Sequence, residues 1–106
     1  MRCGESFAPQ SPNESEVYGF DFIDDLEFKE NILSVVSWAI EILSGKDDDY
    51  LSRLSGEPTL DPESPRIVRQ RVTGLQPGVR YLMTCIVLTD RGNTIELSAI
   101  APGKAS

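Results

Sequence analysis

Three aspartates in a row, Asp47-Asp48-Asp49, are the residues whose type and spacing first raise the question of metal chemistry. A calcium site needs carboxylate and carbonyl oxygens that converge from a turn. Consecutive side chains diverge, and the EF-hand spacing is missing, so the run reads as a solvated acidic loop. The two thiols, Cys3 and Cys85, are too few for a disulfide framework. Cys85 stands in an apolar run and reads as a buried thiol. Cys3 stands in a polar leader, and a bridge between the two would tie that leader to a core strand. The chain has no histidine, which removes the usual general base for a serine or cysteine nucleophile. It also has neither a glycine-rich phosphate loop nor zinc-ligand spacing, and its carboxylates lie in loops. No catalytic, cofactor-binding or metal-ligating residue is assigned. The chain reads as a binding or assembly module, not an enzyme.

The bulk properties agree with that reading. A length of 106 residues is one domain's worth, and 40% hydrophobic with 25% charged residues is an ordinary globular balance. A net charge of −7 repels phosphate backbones and anionic headgroups, so neither nucleic acid nor a membrane is expected as a partner. The charge serves solubility, or else it faces a basic patch on another protein. No apolar run approaches the ~20 residues of a membrane span, and no secretory leader is visible. Synthesis in a cytoplasm is the expectation.

These residues need elements to position them. Residues 1–16 hold two prolines and three serines and read as an N-terminal arm outside the core. In Val17–Ile23, Tyr18, Phe20 and Phe22 alternate with smaller or polar residues, which is a strand signal. Leu26 to Asn31 is a short polar connection. Leu33 to Ile40 reads as a strand with apolar residues on both faces, as if covered on both sides. Ser44 to Pro65 reads as a long loop, with one short turn around Tyr50, Leu51 and Leu54. Arg66–Thr73, Arg80–Leu88 and Thr94–Ile100 are three further strands, the last two joined by a hairpin at Thr89–Asn93. Residues 101–106 form a tail. Several strands with no long helix predict an all-β sandwich of the immunoglobulin or fibronectin type III kind over 17–100.

The most specific local pattern is Leu75-x-Pro77-Gly78-x-x-Tyr81. Pro-Gly makes a turn, and a tyrosine follows three residues after the glycine, as in the tyrosine corner of Greek-key sandwiches. The Tyr81 hydroxyl is expected to bond a backbone group near Leu75. Trp38, the one tryptophan, is expected at the centre of the core. Trp38, Leu75, Pro77, Gly78, Tyr81 and Cys85 are thus the predicted structural set. On the strand from Tyr81, the second face carries Leu82, Thr84, Ile86 and Leu88. A solvated sheet face should be polar, so Leu82, Ile86 and Leu88 are a candidate interface, covered either by the 44–65 loop or by another chain.

Two blocks together, ILSVVSWAI with Trp38 and GLQPGVRYLMTCIVLTDRGNTIELS with Tyr81, Thr84 and Cys85, follow an acidic-aromatic opening strand, YGFDFIDDL. In this order they resemble the fibre–tail adaptor proteins of bacteriophages, small immunoglobulin-like components of the virion. The resemblance covers about residues 17–100. The basic strand RIVRQRVT, the long 44–65 loop and the leader depart from it. It implies a virion protein of the tail or neck that joins tail and fibre subunits by protein–protein contacts, in several symmetric copies and without a cofactor. The alternatives are a capsid decoration or cement protein, a cellular fibronectin-type adhesion module, and a small carboxylate enzyme. The last would need two facing carboxylates in a cleft.

Overall fold

The computed structural model describes residues 2–104, and of residues 2–6 only the backbone course. Seven strands make it all-β: β1 (Arg2–Ser6), β2 (Ser15–Asp21), β3 (Ile32–Ser44), β4 (Leu54–Leu60), β5 (Ile67–Thr73), β6 (Arg80–Thr89) and β7 (Thr94–Pro102). One 3-10 turn, Tyr50–Arg53, precedes β4. The strands form two sheets, β1-β7-β6-β3 and β2-β5-β4. Every pairing is antiparallel except that of β1 with β7, which is parallel.

Period two decides which side chains meet between the sheets. In β5, Val68, Gln70 and Val72 are buried, while Arg69, Arg71 and Thr73 are exposed. The basic character of RIVRQRVT therefore lies wholly on the outside. In β6, Tyr81, Met83, Cys85 and Val87 are all fully buried. They face Tyr18 and Phe20 of β2 and Val68 and Val72 of β5 in one core. Trp38 pairs in register with Cys85 and packs on Phe20 at 4.9 Å between ring centroids. Its indole N–H donates to Met83 Sδ at 3.4 Å, so the one polar atom of the ring is not stranded.

The apolar residues on both faces of β3 have a different cause from the two-sided cover expected. β3 is an edge strand. Its register against β6 slips between Ile32 and Ser34, between Val35 and Ser37, and between Ile42 and Ser44. The residue left over at each slip is Leu33, Val36 or Leu43, and these are the exposed large apolar side chains of the strand. Each slip carries one extra residue out of the ladder and restores the inward parity of the next, so Ile32, Val35, Trp38 and Ile40 all turn inward.

Three expectations change. The residues read as an arm lie along the sandwich: β1 joins the β7 edge, Phe7 stacks on Tyr18 at 4.5 Å, and Gln10 is fully buried. Gln10 donates through Nε2 to Val72 O and accepts from Leu75 N–H. Both ends of the buried amide thus have backbone partners, and this is how a polar side chain is accommodated there. The residues read as a tail carry the end of β7, and Gly103 N–H donates to Val79 O. The 44–65 loop contains β4, which pairs with β5 in the opposite sheet and so does not lie over the outer face of β6.

Candidate functional site

The bend before β6 is built as its sequence pattern predicts. Pro77 and Gly78 occupy the turn closed by Val79 N–H to Gln76 O, and Gly78 has φ +76°, which the second central position of a type II turn requires. Leu75 and Tyr81 are fully buried beside it. The Tyr81 hydroxyl accepts from Gln76 N–H at 2.9 Å, next to Leu75. Pro77 and Gly78 are exposed at the turn tip and are not core residues. A turn leaves backbone groups that need water, so its apex stays outside.

The hydroxyl also donates, to Asp47 Oδ2 at 2.8 Å. The structure thereby corrects the reading of the triple aspartate. Asp47 is buried, and Arg53 grips it with Nε on Oδ2 at 2.9 Å and Nη2 on Oδ1 at 3.0 Å. The Arg53 bonds hold its carboxyl down at about 2, with the Tyr81 hydroxyl and Asp49 N–H adding to them against the cost of burial. Burial pushes Tyr81 up to about 12, and the neighbouring Asp47 charge works in the same direction. Gly45 makes the approach feasible. Its φ is +88°, and a Cβ there would run into Gly78 O and the Val79 backbone. Asp48 and Asp49 remain exposed.

Cys85 is a free, buried thiol, and burial alone pushes it up to about 12. A thiol held protonated in an apolar core is inert toward exchange. The Cys3 side chain lies outside the described residues. Among the described residues, no group of three or more histidine, cysteine or acidic side chains converges to hold a metal ion.

The candidate interface residues Leu82, Ile86 and Leu88 are half-buried on the outer face of the four-stranded sheet. In register beside them on β7 are Ile100, Glu96 and Thr94, and on β3 are Glu41, Ser37 and Ser34. Thr84 and Ser98 share a hydroxyl bond at 3.2 Å between the leucines. The face is therefore an apolar strip, about three residues long on β6, with carboxylates on both flanks.

Sequence reasoning passed over a second region. The connection from β2 to β3 carries Phe28, which is 84% exposed. Behind it Glu30 is buried and accepts from Thr89 Oγ1 at 2.6 Å, Asn93 Nδ2 at 2.8 Å and Glu27 N–H at 2.9 Å. These bonds lower its carboxyl below the usual range, the Glu27 N–H first. Arg91 of the β6–β7 turn donates to Phe28 O at 2.6 Å and pairs with Glu27 at 3.1 Å. The available signal was an aromatic residue inside an otherwise polar connection.

Comparison with protein-family models, with curated proteins and with solved structures finds no match for this chain.

Proposed function

We propose that the chain is an immunoglobulin-like assembly module of a phage virion, joining tail or neck to fibre subunits by burying sheet surface against them. The strand order supports the immunoglobulin kind: β2-β5-β4 against β7-β6-β3 has the connectivity of the B-E-D and G-F-C sheets, with Trp38 on the third strand and a tyrosine corner before the sixth. The observation that carries the binding role is the apolar strip of Leu82, Ile86 and Leu88 on an outer sheet face, where a solvated antiparallel sheet carries polar residues.

The test is made in the phage whose genome carries the gene. With the triple exchange Leu82→Ser, Ile86→Ser and Leu88→Ser, the purified domain is expected to keep its melting transition. The particles are expected to lose the protein and their fibres. Fully infectious, fibre-bearing particles without the protein would overturn the reading. Quantitative gel staining separates tail from head: a copy number matching a tail ring supports the adaptor role, and one matching the capsid lattice supports a decoration protein instead.

A further inference from the structure

The apolar strip is the midline of a larger face whose pattern fits a copy of itself. On the outer side of the four-stranded sheet, β6 presents Arg80, Leu82, Thr84, Ile86 and Leu88, each with a β3 and a β7 residue in register beside it. Three of these positions are charged: Arg80 at one end, Glu41 beside Leu82 on β3, and Glu96 beside Ile86 on β7. The two carboxylates thus stand at diagonal corners about Thr84. The Thr84 hydroxyl is bonded to Ser98 at 3.2 Å, so closing water out of the centre leaves that pair intact.

Two axes lying in the plane of the face can lay it on a second copy. An axis along β6 sets Arg80 against Arg80. An axis across the strands at Thr84 sets Leu82 on Ile86 of the second copy, Arg80 on its Leu88, Glu41 on its Ser37 and Glu96 on its Ile100. No charge then meets its like. Arg80 comes within one row and one strand of the second copy's Glu96, a diagonal of about 8 Å in projection, which long side chains span. Neither has an ion-pair partner among the described residues. The face is complementary to itself in this orientation, as an isologous pair requires. Rows about 6.7 Å apart on three strands about 4.8 Å apart give roughly 500 Å² of projected face per copy. A pair buries about 1,000 Å², the size at which specific contacts begin and are still weak and exchangeable.

We infer that in the free protein the outer face of the four-stranded sheet pairs two copies of this chain about a two-fold axis at Thr84. This rests on the contact role already given to the strip of Leu82, Ile86 and Leu88, and names its first occupant, which a virion subunit displaces.

The test is sedimentation of the full-length chain from about 1 µM to about 1 mM. A monomer–dimer equilibrium is expected, with a dissociation constant in the micromolar range or weaker. The triple exchange Leu82→Ser, Ile86→Ser and Leu88→Ser should leave only monomer. Arg80→Glu and Glu96→Arg should each weaken the pair at least about fivefold, and the two exchanges together should restore it. Circular dichroism spectra of all the variants should match that of the parent chain. A monomer at every concentration, a dimer that survives the triple exchange, or charge variants that are not rescued in combination would overturn the inference. A chain that is monomeric, yet needs its strip for fibre attachment, overturns the inference and leaves the virion reading standing. A rescued dimer whose triple exchange leaves particles complete supports the pair and removes the virion reading.

Discussion

The two ends of the sandwich use one device for opposite purposes. At one end Asp47 gathers Arg53, Tyr81 and Asp49 N–H, and the aromatic ring it secures is fully buried. At the other, Glu30 gathers Thr89, Asn93 and Glu27 N–H, and the aromatic ring above it stands in water. In both places a carboxylate draws donors from elements far apart in the chain, and each is held ionised by them. The donors differ. Asp47 has a guanidinium in a two-point grip, which suits a closed site where the charge must be matched. Glu30 is held mainly by neutral hydrogen bonds, which fix geometry while leaving the turn at the surface. A carboxylate that organises a loop is thus a poor guide to catalysis.

The sharpest way to break the comparison is at Asp47. Asp47→Ala strands the Tyr81 hydroxyl and Arg53 together, and is expected to cost about 3 kcal/mol in a denaturant melt. A change of only a few tenths would show the network to be incidental. The same carboxyl gives the pH dependence its sign. Its folded value of about 2 lies below its ordinary 3.8. The stability it contributes is therefore complete above about pH 4–5 and is lost as the pH falls through 3.8 toward 2. Acid titration of the melting temperature should show that limb in the parent chain and a shallower one in Asp47→Ala.

Tyr81→Phe keeps the ring and removes both bonds of its hydroxyl, leaving Gln76 N–H without its acceptor. A loss of about 2 kcal/mol is expected. Glu30→Gln sharpens the contrast at the other end. It weakens three accepted bonds at a surface turn, and is expected to cost about 1 kcal/mol. Amide exchange should quicken in residues 27–31 and stay unchanged around Gln76. The smallest effect has the opposite sign. Lys29→Gly relieves a left-handed lysine, at φ +64°, and is expected to stabilise the fold by about 0.5 kcal/mol, the relief being partly offset by the freer unfolded chain.

Alternation made β2 and β5 legible, because one face of each is buried and the other is not, whereas β6 and β7 were legible through the hairpin turn that joins them. The corner at Tyr81 was legible because Pro77 and Gly78 have few other uses at that spacing. β4 was not, since Leu54–Leu60 contains Gly56 and Pro58, and its pairing slips between Ser55 and Thr59. The packing of residues 7–14 was hidden because its key residue is Gln10, whose value lies in two backbone partners more than sixty positions away. Asp47 was misread for the same reason. An acidic triplet looks solvated until Arg53 and Tyr81 are placed beside its first member. The Phe28 turn depends on Arg91 and Thr89, which reach it only after β6 and β7 are folded.

The three slips along β3 have a consequence for crowding. An unpaired edge of thirteen residues is long enough to template another copy into a ribbon that never closes. Each leftover residue kinks that margin, and the longest unbroken stretch runs only from Ser37 to Ile42. Many copies can therefore sit shoulder to shoulder without zipping into fibrils. Deleting Val36 to smooth the margin should raise the chain's tendency to aggregate, read as light scattering against the parent.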